Sequence, residues 1–203
     1  MNTNLEYKVV DFSNALEAID VQRDIFEEDG LLNILDSLDY NLFISLTNLS
    51  YPDDHVKYYL AYLNNKPIAI TGFYHYPDYP DDMWLAWFGV LPEYQGRGYG
   101  KEVLKWSMKK ALSEGKKNLR LYTDETNMST AVNLYKNFGF IGEKYIGEEL
   151  DYDCYIYSKS LISDEVELWN NKFLGLANQS SFEREDDDFK EKIFNIYKEK
   201  YLK

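Results

Sequence analysis

Eleven residues, Val90-Leu91-Pro92-Glu93-Tyr94-Gln95-Gly96-Arg97-Gly98-Tyr99-Gly100, constrain this chain more than any other segment. Met83 to Val90 reads as a buried strand, and Pro92 ends it by removing a donor from the ladder. Gly98 to Glu114 carries Val103, Leu104, Ser107, Met108, Ala111 and Leu112 at helical spacing. Between strand and helix, glycines at 96, 98 and 100 allow backbone conformations and close ligand approach that a side chain would forbid. The amides of such a loop and of the first helical turn lack partners and point outward, with the helix dipole behind them. That arrangement suits a phosphate or pyrophosphate. Alternating glycines alone equally describe a turn that lets a helix pack on a strand. The phosphate loop of nucleotide hydrolases needs Lys followed by Ser or Thr, and here Glu102 follows Lys101. The dinucleotide fingerprint needs G-x-G-x-x-G in a first βαβ unit, whereas this is G-x-G-x-G late in the chain.

The flanking sequence supplies the frame. Tyr7 to Phe12 reads as a strand, and Ser13 or Asn14 caps a helix bearing Leu16, Ile19, Ile25 and Phe26 that stops at Glu27 to Gly30. A short helix follows over Leu31 to Leu38, while Asp39 to Asp54 has no clear period. Lys57 to Leu63 and Pro67 to Tyr76 form a hairpin through Asn64, Asn65 and Lys66, because Asn tolerates positive φ. Tyr76 to Asp82 is a loop and Leu119 to Thr123 a strand. Thr130 to Phe138 is a helix closed by Gly139, and Phe140 to Tyr145 and Asp151 to Ser160 are the last strands. Strands alternating with helices around a strand-loop-helix unit give an α/β or α+β sheet domain over residues 1–161. From 162 to 203 the texture changes. Phe189, Ile193, Ile196 and Tyr197 follow the acidic run Glu183 to Asp188 on one helical face, so the tail is expected to be a helical extension of one or two helices. It is expected to pack on the sheet domain or on a second copy, as in a homodimer.

Charge and composition narrow the partners. The 203 residues suffice for one core plus an appendage, and the 19 Tyr and 11 Phe give apolar surface enough to oppose disorder. A net charge of −13 repels phosphate backbones and anionic membranes, so no nucleic acid and no membrane is expected as a partner. It mildly favours a positively charged substrate, although solubility alone accounts for it. The single cysteine, Cys154, allows neither an internal disulfide nor a cysteine-built zinc site, and no metal is expected. No apolar run reaches signal-peptide or membrane-span length, so the expected location is cytoplasmic.

Gln95-Gly96-Arg97-Gly98-Tyr99-Gly100 resembles the Q/R-x-x-G-x-G/A signature of the GNAT superfamily of acyl-CoA-dependent N-acyltransferases. The second signature resembles Thr126 to Tyr135 followed by Lys136-Asn137-Phe138-Gly139-Phe140, at the expected distance downstream. The order of elements from Tyr7 to Ser160, about three quarters of the chain, also resembles that family's fold. The resemblance implies a mixed, mostly antiparallel central sheet flanked by helices. It also implies acetyl-CoA as co-substrate and a small-molecule primary amine as acceptor, with direct transfer in a ternary complex.

By that resemblance the amides of Phe88 and Val90 receive the pantetheine arm, and Phe88 also donates to the acetyl carbonyl and stabilises the oxyanion. The amides of Gln95, Gly96, Arg97, Gly98, Tyr99 and Gly100 bind the pyrophosphate, with Arg97 adding charge. Asn127 resembles the cofactor-contacting asparagine, though it could equally cap the helix. Tyr135 resembles the general acid that protonates the departing thiolate; thiols ionise near pH 8.5 and phenols near 10 (approximate values), so a tyrosine stays protonated at neutral pH. Tyrosines on helical faces are otherwise core. Many family members carry a basic glutamate on the central strand where this chain has Trp84. Asp81, Asp82, Asp124, Glu125 and His75 remain as bases, as does a water chain, and none is assigned. Tyr74, His75, Tyr76, Tyr79 and Trp84 beside Asp78, Asp81 and Asp82 read either as an ammonium pocket or as an aromatic strand pair under an acidic loop. The loss of the strand glutamate also fits a non-catalytic acyl-CoA sensor, and an ATP-binding protein is a third class.

Overall fold

Asn64 and Asn65 both adopt positive φ, 50° and 64°. They close a two-residue hairpin between β2 (Lys57–Leu63) and β3 (Lys66–Tyr74), whose right-handed twist matches that turn. The computed structural model describes residues 5–26, 31–47, 56–124, 129–148, 150, 152–176 and 187–201. Within them, β1 (Glu6–Val9), β2, β3, β4 (Asp82–Val90), β5 (Asn118–Asp124), β6 (Ile141–Lys144) and β7 (Cys154–Ser160) form one sheet in the order β1-β2-β3-β4-β5-β7-β6. Every pairing is antiparallel except β4 with β5. This is the mixed, mostly antiparallel sheet with flanking helices that the sequence led us to expect.

The helices cover the two faces. On one face lie α4 (Tyr99–Ser113) and α5 (Ser129–Asn137), whose Leu104, Ala111, Val132 and Tyr135 pack on Met83, Leu85, Leu119 and Leu121. On the other lie α1 (Ala15–Phe26), α2 (Leu31–Leu38) and α3 (Tyr40–Thr47), which bury Ala18, Ile34, Leu35 and Phe43 against Tyr58, Leu60 and Ile70. Helix α3 falls in the stretch that had no clear period, and Phe43 is fully buried there because neighbouring helices, not its own pattern, define its apolar face. Asn14 precedes α1, but its side chain accepts from the Asp11 amide (2.9 Å) and donates to the Val9 carbonyl (3.0 Å), tying the helix start to β1.

The tail differs from its expectation over its first part. Residues 162–175 contain no helix; they run as an irregular strap along the sheet. Trp169 and Leu174 bury completely against Trp84, Tyr76 and Ile156. Glu143 accepts both the Trp169 and Asn170 amides at 2.7 Å, and Glu148 accepts those of Leu174 and Gly175 at 3.0 and 2.9 Å. Two carboxylates thereby satisfy main-chain donors that no ladder reaches. Helix α6 (Asp187–Tyr201) packs on α2, burying Ile193 and Tyr197. Among the described residues, no helix is long and apolar enough to cross a membrane.

Candidate active site

Strand β4 pairs with β5 only at Asp82, Met83 and Trp84, against Asn118, Leu119 and Arg120. A buried ion pair pins that junction. Arg120 Nε meets Asp82 Oδ2 at 2.7 Å, both side chains nearly inaccessible, and Asn118 Nδ2 donates to Asp82 Oδ1 at 2.8 Å. Arg120 Nη1 reaches Ser158 Oγ at 2.6 Å and the Glu167 carbonyl at 2.7 Å, so each buried charge is compensated. Beyond Trp84 the pairing with β5 ceases while β4 continues to Val90, and a gap opens between parallel neighbours.

Strand β4 is also bulged. Ile70 faces Gly89 but Gly72 faces Ala86, so β4 spends one residue more than β3 over this interval. Trp87 takes a φ of 28°, a strained value for a residue with a Cβ. Phe26 of α1 holds its ring edge-on at 4.8 Å. Helix α1 can come this close because a Cβ on Gly89 would lie 2.4 Å from Ile25 Cγ2. After the bulge, the Leu91 amide donates to the Ile68 carbonyl at 2.9 Å. The two-residue alternation of a strand then turns the Val90 amide away from β3, toward the gap.

The glycine loop follows. Pro92–Tyr94 makes a single 3-10 turn in which the Gln95 amide donates to the Pro92 carbonyl at 3.2 Å. Gln95 is therefore a correction: its N–H is engaged inside the protein, and its side-chain Nε2 clamps the Val90 carbonyl at 2.9 Å. The open cradle begins one residue later. The amides of Gly96, Arg97, Gly98, Tyr99 and Gly100 meet no acceptor among the described residues. Gly96 and Gly98 hold φ of 70° and 89°, and a Cβ at either would meet nothing within 4 Å, so conformation and not space demands glycine there. Gly98 is the N-cap of α4, whose first bonded amides, those of Lys101 and Glu102, both return to the Gly98 carbonyl. Five free donors thus stand on a helix N-terminus. Arg97 is exposed, with its guanidinium over the Tyr94 ring at 5.8 Å.

The second signature comes to the same place. Leu134 of α5 lies against Gly100, and Tyr135 is buried with its ring centroid 6.0 Å from Phe88, 5.7 Å from Phe140 and 6.2 Å from Tyr157. Its hydroxyl has no hydrogen-bond partner among the described residues, and burial alone pushes its pKa above the ordinary phenol value. A close of α5 through the Phe140 amide to the Tyr135 carbonyl (3.1 Å) fixes this residue in place. Asn127 and Glu125 lie outside the described residues.

The aromatic cluster is core. Trp169 fills the space beside Trp84 (5.0 Å, perpendicular) and Tyr79 (4.5 Å), and the cations over its ring are the protein's own Arg120 and Lys172. Asp81 pairs with Lys117 at 2.8 Å and Asp82 with Arg120. Both stand at the start of β4, roughly 20 Å along the strand from Phe88 at about 3.3 Å per residue. That distance removes them as bases acting at Phe88. Cys154 is buried, and its thiol is pushed up to about 12 by burial and by Glu148 and Asp124. A thiol so held is no nucleophile at neutral pH. It should therefore resist a disulfide exchange reagent at pH 8 in the native protein and react within seconds once denatured, which absorbance titration reads directly.

Trp87 and the strap residue Trp169 carried no signal in the sequence, and Phe26 read only as an apolar position of its helix. A bulge exists only in the pairing of two strands, and the strap's burial depends on a cavity that β4, β5 and β7 make together.

A family model described as the acetyltransferase (GNAT) family matches residues 22–140. Solved structures agree in fold. The ribosomal-protein-S18-alanine N-acetyltransferase from Escherichia coli aligns with a TM-score of 0.54 at 17% identity, over 84% of this chain and 100% of that one. The PaiA N-acetyltransferase from Thermoplasma acidophilum, solved in complex with coenzyme A, gives 0.55 at 19% identity, over 77% and 99%. The spermidine/spermine N-acetyltransferase SpeG from Vibrio cholerae gives 0.57 at 13% identity, over 79% and 95%. No curated protein matches the sequence. With the glycine cradle, the splayed strand and a family model over more than half its length, this chain belongs to the acetyltransferase (GNAT) family.

Proposed function

We propose that the chain is an N-acetyltransferase that moves an acetyl group from acetyl-CoA directly to a primary amine. The observation that carries this reading is the run of unpartnered amides from Gly96 to Gly100 on the N-terminus of α4, beside a strand that has left its neighbour. Those donors suit a diphosphate, and the gap beyond Trp84 suits the extended pantetheine arm, received by the Phe88 and Val90 amides. The Phe88 amide then donates to the thioester carbonyl as negative charge develops on it, and Tyr135 delivers its proton to the departing sulfur. In this reading Arg97 adds charge to the diphosphate site, and Asn127 contacts the cofactor. Residues 1–161 hold the reacting groups, and in the extension 162–203 the strap 162–175 and α6 brace the face opposite Tyr135. A net charge of −13 suits a small cationic amine encountered in the cytoplasm.

Release of CoA from acetyl-CoA, followed with a panel of primary amines from spermidine to amino-acid amides, tests the reading. Turnover on at least one amine is the expected result. Tight CoA binding with no turnover on any of them would make the chain a sensor, a reading favoured by Trp84 in the place of the family's strand glutamate. Thermal protection by ATP and not by CoA would overturn both.

A further inference from the structure

We propose that Trp87 selects the acceptor: its indole face receives a second cationic group of the amine, so the substrate class is a diamine or polyamine. The proposal rests on the acetyltransferase reading above and adds to it a substrate class and the residue that selects it.

The bulge sets the side on which Trp87 stands. By strict alternation residue 87 would follow Leu85 onto the face of α4 and α5. Instead Ala86 and Trp87 both join the cluster under α1, and Phe88 returns to the cluster that holds Leu85 and Tyr135. Two consecutive side chains on one face are what a bulge produces, and re-aiming a side chain is its common use beside a reaction site. The backbone is strained to do it, with a φ of 28° on a bulky residue, and such outliers gather at ligand-binding positions. On the α5 face, Phe88, Tyr135, Phe140 and Tyr157 pack together around the departing sulfur of that reading. That leaves the α1 face for the acceptor, and there Trp87 is the chain neighbour of Phe88.

The ring is also the one left uncovered among the four tryptophans. Trp84 and Trp169 are fully buried, and Trp106 stacks on Tyr7 with centroids 4.1 Å apart. Trp87 is half-buried, and its one ring contact among the described residues is the perpendicular one with Phe26. A perpendicular contact covers at most one face of the indole, so at least one face has neither an aromatic nor a cationic partner. Other half-buried rings carry a cation of the protein itself: Lys110 over Tyr59, Lys172 over Tyr79 and Lys200 over Tyr201. Tryptophan is the ring that attracts a cation best, and here the protein supplies none.

The chemistry of transfer says which cation this is. The nitrogen that attacks the thioester must be neutral, so a charge held on the indole belongs to a different nitrogen of the same molecule. A net charge of −13 favours the same class, because a dication is drawn by a negative potential twice as strongly as a monocation.

The test compares 1,5-diaminopentane with pentylamine, the same chain with one ammonium, by CoA release from acetyl-CoA. The wild-type protein should favour the diamine at least about 10-fold in kcat/KM. Trp87→Leu, which keeps apolar bulk, should cut that preference about threefold or more, through a higher KM for the diamine. CoA affinity by calorimetry should stay within about twofold. Trp87→Phe, whose smaller ring keeps a π face, should fall between the two, and it carries the test by itself if the leucine variant does not fold. Equal kcat/KM for the two amines in the wild type, or a preference unchanged by the substitutions, would overturn the proposal and leave the acetyltransferase reading standing. A preference for phenethylamine over the diamine would overturn it too, giving the ring to stacking. A wild-type protein that acetylates no amine would remove both readings.

Discussion

Gly98→Val should reduce CoA affinity at least about 100-fold by titration calorimetry, while leaving the protein folded. The residue holds φ of 89°, where a β-branched side chain is strained by about 1–3 kcal/mol. That strain falls on the residue that caps α4 and accepts from both Lys101 and Glu102, so relief requires turning the first helical amides away from their present direction. The Cβ of the added side chain would stand in open space, within 4 Å of no protein atom, so the strain is conformational and not steric. Gly100→Ala is the control. Its φ is not positive, and its new methyl would meet Leu134 Cδ2 at an ordinary 3.6 Å, so near-wild-type affinity is expected. Retained affinity in Gly98→Val would show that the loop does not hold the cofactor.

Tyr135→Phe should lower kcat about 100-fold or more with CoA affinity nearly unchanged, measured as single-turnover CoA release beside a binding titration. The hydroxyl has no partner among the described residues, so its removal leaves no buried group stranded and the melting temperature should hold. The pH dependence has a definite sign. A general acid must carry its proton, and burial raises this one above the usual phenol value of about 10. The rate should therefore show no fall attributable to Tyr135 as pH rises to that value. An unchanged kcat in the Phe variant would remove its role as acid and return the residue to core packing, for which Phe88, Phe140 and Tyr157 already supply the neighbours.

Local rules made most of the frame legible. Alternation and turn chemistry placed β2, β3 and a turn at Asn64 and Asn65, because those residues tolerate positive φ; the pairing of Leu63 with Lys66 shortened the expected three-residue link to two. Helical period placed α1, α4 and α5, and glycine at 96 and 98 announced a loop that no other residue could form at low cost. Helix α3 and the strap at 162–175 stayed hidden. Their burial is set by surfaces contributed from distant segments, so their own patterns carry little of it.

The site divides along the same line. The chain of residues from Val90 to Gly100 and from Ser129 to Phe140 by itself determined where a diphosphate could be gripped and which helix would follow, since unpaired amides after a glycine turn are a local consequence of the backbone. Pairing between strands decided the rest. Only the register shift against β3 bends Trp87, and only the early end of the β4–β5 ladder opens the gap. Only the folding of the strap over β4 seals Trp84, where a glutamate was sought, under Trp169. A hydrogen-bond register joins residues that are far apart in the chain, and no local pattern of either strand records it.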